Sequence, residues 1–150
     1  AVSLPHSPLT LDQQRAVVAR VERDLLTPMG LRTLSPEDSR YCPRYEGGWD
    51  QRDRAYHQGT VWAWLMGPFV EAYLKLYGGD ASARDRVRDW LGAFDAHMRQ
   101  AGLGFVGEIF DGDPPHTPRG CIAQAWSVAE VLRAKMLLLD CERTRSALRE

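Results

Sequence analysis

Between Thr60 and Tyr77 only Glu71 and Lys75 carry charge, so this stretch is apolar nearly all round. A helix without a polar face has to be surrounded by protein, and that requirement constrains everything around it. The segment predicts a buried helix, kinked or briefly broken at Gly67-Pro68 and ended by Gly78-Gly79. Two amphipathic stretches are available to cover it. Behind Thr10 as N-cap, Leu11, Val17, Val18, Val21 and Leu25 recur at helical spacing, with Asp12, Arg15, Arg20, Glu22 and Arg23 opposite. Over about 81–100, Val87, Trp90, Leu91, Phe94, Met98 and Ala101 line one face of a second such helix. A further helix, about 120–139, is largely apolar in its first half through Cys121, Ile122, Ala123, Ala125, Trp126, Val128 and Ala129.

The helices therefore alternate exposed, buried, exposed, buried, and each long loop precedes a buried helix. That pattern predicts an all-α chain of about four main helices joined by long loops, arranged in two concentric layers as in an α/α toroid. Four helices are only part of a closed ring of twelve. No internal repeat is visible, and no period-two run is long enough to argue for strands. Residues 1–9 read as an irregular lead-in. Residues 27–58 form a long stretch rich in Pro, Gly and charge, and Tyr41, Tyr45, Trp49 and Tyr56 favour an ordered, functional loop there.

The 150 residues suffice for one sizeable core. A net charge of -1, with basic residues scattered, gives no electrostatic reason to expect nucleic acid or an anionic membrane as partner. No run approaches the roughly 18 apolar residues of a membrane span. Cys42, Cys121 and Cys141 form no CxxC pair and have no zinc-finger histidine, so neither disulfides nor structural zinc are expected. Buried thiols in a reducing cytoplasm are the plain expectation. Nucleophile-elbow, P-loop, dinucleotide and HExxH motifs are all missing. The chain begins at Ala1, without an initiator Met, and is expected to be a processed protein or a piece of a longer one.

Two segments carry chemistry. Arg52 to Trp64 gathers charge, an imidazole, an amide and three large aromatics at the start of the buried helix. Aromatic faces cover the C–H side of a pyranose, while His, Gln and Arg reach its hydroxyls. His57 and Gln58 are placed at the rim, with Trp62 on the face of Gln58; Trp62 and Trp64 read equally as core fillers. The second segment runs from Gly107 to His116. A carboxylate such as Glu108, on a loop stiffened by Pro114-Pro115, can act as general base toward water, or can pair with Arg119 or cap a helix. Asp111 orders the loop or meets a sugar hydroxyl. Gln124 is a satisfied core amide or a rim contact. The spacing of Asp111, Asp113 and His116 does not suit a metal.

The stretches 27–34 (TPMGLRTL), 52–62 (RDRAYHQGTVW), 108–112 (EIFDG) and 118–127 (PRGCIAQAWS) resemble the C-terminal catalytic domain of glycogen debranching enzymes, the amylo-α-1,6-glucosidase family. The resemblance implies the C-terminal part of a glucoamylase-like (α/α)6 barrel and hydrolysis of α-1,6 branch linkages of glycogen or limit dextrin with inversion. It implies Glu108 as the general base, with Tyr56, His57, Gln58 and Trp62 around the terminal glucose and Arg32 in the matching 27–34 segment. It implies no cofactor and no metal. The general acid and the remainder of the barrel are expected upstream in the same parent chain. Alone, this portion is expected to have little activity and to self-associate through uncovered helix faces. Alternatives are a glucoamylase-like or trehalase-like inverting enzyme, or a non-catalytic helical carbohydrate-binding module.

Overall fold

The computed structural model describes residues 1–147. Among the described residues, five α-helices and one five-stranded antiparallel sheet make up the fold. Helix α1 (Leu11–Asp24) leads into strands β1 (Leu26–Thr27) and β2 (Gly30–Arg32). A short helix α2 (Trp49–Tyr56) precedes β3 (Val61–Trp62), a 3-10 turn over Ala63–Leu65 and α3 (Met66–Tyr77). Helix α4 (Ala81–Gln100), β4 (Ile109–Phe110), β5 (Pro118–Arg119) and α5 (Ala125–Ala147) complete the described residues. The strands lie side by side in chain order β1-β2-β3-β4-β5. Leu31 pairs with both Leu26 and Trp62, Trp62 with Ile109, and Ile109 with Arg119.

This sheet overturns the expectation of an all-α toroid portion with four main helices. Its strands are two or three residues long, too short for alternation to register in a sequence pattern. The buried helix begins at Met66, not Thr60, for a definable reason. Carried back to Thr60, it would need the Pro68 N–H to bond the Trp64 carbonyl, and proline has none. Starting at Met66 puts Pro68 in the first turn, where backbone N–H groups have no intrahelical partner anyway. The freed Val61 and Trp62 pair with β2 and β4 instead.

Helix α5 likewise starts later than expected. Cys121 gives its N–H to the Glu108 carboxylate and its carbonyl to the Glu108 N–H, and the Gln124 N–H bonds the Val106 carbonyl. These backbone groups dock a loop and cannot extend a helix. Ile122 and Trp126 are consequently exposed, as is the Cys121 thiol, which had been expected to be buried. The helical pattern of α1 and α4 holds: Thr10 and Gln13 form a reciprocal capping box, and Asp80 caps α4 by accepting from the Ser82 N–H.

The core lies where α3, α4 and α5 meet under the sheet. Met66, Phe69, Val70 and Tyr73 pack with Val87, Leu91 and Phe94 and with Val131, Ala134 and Leu138, and Val61 and Phe110 enter from the strands. On α1 only Val18 is buried. The far side of α5 leaves Leu132, Met136 and Leu139 exposed.

Gly30 sits at φ 130°, and a Cβ there would fall 2.4 Å from the Trp62 carbonyl oxygen. Gly30→Ala is therefore expected to destabilise the chain by about 2 kcal/mol, measured as a lower urea midpoint. An unchanged midpoint would contradict so close an approach of β2 to β3.

Candidate active site

Pairing of β3 with β4 brings the two chemistry-bearing segments together. Glu108 immediately precedes β4, and Tyr56 ends α2 five residues before β3. The Tyr56 hydroxyl donates to Glu108 Oε1 at 2.5 Å. The Gln124 amide nitrogen donates to the same oxygen at 3.2 Å, and the Cys121 N–H donates to Oε2 at 3.0 Å. Gly120 makes room for this carboxylate. It stands at φ 67°, and a Cβ there would lie 2.4 Å from Glu108 Oε2. Of the two other arrangements the sequence allowed for Glu108, pairing with Arg119 does not occur: that guanidinium binds Asp111 and Glu46. Among the described residues no cation forms a salt bridge with Glu108.

A cluster of rings extends from Tyr56, whose hydroxyl holds the carboxylate. Tyr56 lies 4.7 Å from Trp62, 4.8 Å from His57 and 5.6 Å from Tyr45, centroid to centroid. The exposed His57 ring is parallel to Trp62 within 6°. Trp62 is fixed by its indole N–H, which donates to the Tyr56 carbonyl at 2.9 Å. Trp126 contacts Trp62 edge-on and stacks on Trp64, yet stays 47% exposed. Burial, and then the bond to Glu108, push the Tyr56 phenol well above its usual pKa, so it remains a donor at neutral pH.

The other residues singled out by sequence sit nearby in different roles. Asp111 has no exposed side-chain surface; its carboxylate accepts from Arg119 Nε and Nη2, at 2.9–3.2 Å, and from the Tyr45 N–H at 3.0 Å. It thereby fixes the segment that carries the Tyr45 ring. Arg32 Nε donates to the Gly112 carbonyl at 2.9 Å and to the Tyr41 hydroxyl at 3.2 Å. That hydroxyl in turn donates to Asp113 at 2.9 Å, and burial followed by this bond pushes the Tyr41 phenol up to about 12. Gln58 is half-buried, and its carbonyl accepts from the Cys42 N–H at 2.6 Å. Gln124 spends its amide nitrogen on Glu108 and its side-chain oxygen on the Ala125 N–H.

Tyr45 and Trp126 join the ring cluster without having been assigned to it from the sequence. Tyr45 lies in a stretch with no periodicity, and the composition around Trp126 predicts a buried helix. Four aromatics within residues 41–56 were the signal available for Tyr45. Among the described residues, no three of His, Cys, Asp and Glu are placed to hold a metal ion, and no helix is long and apolar enough to cross a membrane.

A family model described as amylo-alpha-1,6-glucosidase matches residues 1–133. The glycogen debranching enzyme of Saccharomyces cerevisiae is 37% identical to this chain over 81 residues, which cover 49% of the chain and 5% of the yeast protein. The matched stretch thus spans about a twentieth of that relative's length.

Arg119→Met removes the cation facing a carboxylate of 0% exposure. Stability is expected to fall by about 3 kcal/mol, the scale for stranding a buried charge, read from urea unfolding at neutral pH. A loss below about 0.5 kcal/mol, the size of an ordinary surface substitution, would mean that the Asp111 pair does not hold this loop.

Proposed function

Because the chain belongs to the amylo-alpha-1,6-glucosidase family, we propose that it supplies the general base and part of the glucose site of a glycoside hydrolase acting on α-1,6 branch linkages of glycogen or limit dextrin. The observation that carries this reading is the state of Glu108. Its carboxylate is held by three donors and by no cation, beside a cluster of rings. A carboxylate offers about four acceptor positions. Tyr56, Gln124 and Cys121 occupy three, leaving one on Oε2 for the proton of a water.

In the proposed reaction Glu108 takes a proton from water as the water oxygen bonds the anomeric carbon. The C1–O6 bond breaks on the opposite face, and a separate carboxylic acid protonates the departing oxygen. This is inversion, which needs the two carboxyl groups about 6.5–9.5 Å apart. The acid is assigned to a part of the parent protein outside these residues. The nearby carboxylates within the chain support that assignment, since Asp111 is committed to Arg119 and Asp113 accepts from Tyr41. Tyr56 and Trp126 present ring edges and faces to the terminal glucose, and His57 and Gln58 offer hydrogen-bonding groups to its hydroxyls. Trp62, 4% exposed and covered by the His57 ring, supports them from the core. Arg32 acts one layer back, holding the Gly112 turn. The uncovered side of α5, with Leu132, Met136 and Leu139, is the surface assigned to the remainder of the parent chain.

The test is Glu108→Gln in the intact parent enzyme, assayed on a branched limit dextrin. Turnover is expected to drop by about 10²–10⁴-fold, the usual worth of a general base, with KM little changed. Near-normal turnover would remove Glu108 from the reaction.

A further inference from the structure

His97 lies on α4, 7% exposed, and serves no purpose in the reaction described above. Its ring meets Phe110 of β4 edge-on at 5.0 Å. Its Nε2 stands 3.3 Å from the Gly107 nitrogen, whose N–H points at it. An N–H can only be received by an unprotonated ring nitrogen, so the neutral imidazole must carry its proton on Nδ1. Gly107 is the residue before Glu108, and it sits at the end of the loop that follows α4.

We propose that His97 is the positioning residue of the Glu108 loop: its neutral Nε2 receives the Gly107 N–H and so sets where the carboxylate stands, and protonation of the ring releases that hold. On protonation Nε2 becomes a donor facing a donor, and the bond is replaced by repulsion.

The surroundings favour the neutral form. Burial lowers the His97 pKa from its ordinary 6.5. Along α4 the residues one turn away are Ala93, Phe94, Gln100 and Ala101, none of them charged. The cavity of about 210 Å³ that His97 lines against the β5 segment brings Arg119 and Cys121 to its walls. Neither is a carboxylate that would hold an imidazolium. Glu108, on the loop itself, is engaged with Tyr56, Gln124 and Cys121. Asp95, further along α4, is paired with Lys135. With the folded pKa below the unfolded one, the unfolded chain binds more protons as pH drops below about 6.5, so stability falls with it through that window.

The chain itself, free of sugar, provides the test by nitrogen-15 NMR. At pH 7.5 the His97 ring is expected to show an unprotonated Nε2 and a protonated Nδ1. On acidification the Gly107 amide shift is expected to move with the same midpoint as the His97 ring. His97→Gln keeps a non-titrating acceptor at the position of Nε2. It should retain slow exchange of the Gly107 amide and abolish that midpoint, whereas His97→Phe should speed the exchange at least tenfold at neutral pH. A ring protonated on Nε2 at pH 7.5, or a Gly107 amide that ignores the His97 titration, would overturn the proposal. Should His97→Phe fail to fold, the wild-type tautomer and titration decide it alone. The consequence for catalysis rests on the reading of Glu108 as base; the ring and amide are read without substrate, so either idea can fail while the other stands.

Discussion

Four backbone registers, each spanning about two residues, hold together segments that are otherwise far apart in the chain. Leu26 meets Leu31, Leu31 meets Trp62, Trp62 meets Ile109, and Ile109 meets Arg119. Strands this short have no independent stability. They persist because Val61 and Phe110 reach into the same core as α3, α4 and α5, so that burial by the helices fixes a ladder too weak to stand alone. Once the ladder is fixed, Tyr56 and Glu108, 52 positions apart, are forced within one hydrogen bond of each other. The site is a product of that pairing, not of a helix N-terminus.

Around the carboxylate the chain spends its polar groups economically. Tyr56 both donates to Glu108 and, through its carbonyl, anchors the Trp62 indole and the Thr60 hydroxyl. Gln124 starts α5, whose Val128 N–H bonds its carbonyl, while its amide steadies the carboxylate. The Asp111–Arg119 pair beneath fixes the segment that brings Tyr45 to the cluster. The carboxylate is thus oriented from three sides by elements that are themselves tied into the sheet, as its proposed role of accepting a proton from a fixed direction would require.

Helices α1 and α4 were readable in the sequence because each has a polar face and a clear period, and α1 also a cap at Thr10. The elements that fooled the pattern are instructive. Thr60 to Leu65 is as apolar as the helix that follows, and periodicity cannot separate a buried strand from a buried helix at that length. Pro68 held the answer, since its missing N–H bars helix four residues upstream, but a kink satisfied the same rule. Cys121 to Gln124 looked like a first helical turn because nothing in their composition reveals that their backbone is committed to Glu108 and Val106. Neither an all-α layering nor a toroid survives the sheet. The convergence of the Tyr56 and Glu108 segments was expected because each loop precedes a buried helix, but β3–β4 pairing brings it about instead; the family resemblance itself is borne out by the match over residues 1–133. Which side chains bond which was not legible, because hydrogen bonds across 52 residues leave no trace in local spacing.

On the proposed reading, one glucose pocket is walled by these rings and served by this acid. The most direct measurement is the set of NMR contacts between isomaltose C–H protons and the aromatic protons of the chain, recorded at saturating sugar. Contacts to Trp126, Tyr56 and Tyr45, with the Glu108 side-chain carbon shifting in step, are the predicted result. Sugar contacts confined to the Tyr73, Tyr77 and Trp90 rings, or no contact with any ring, would contradict it.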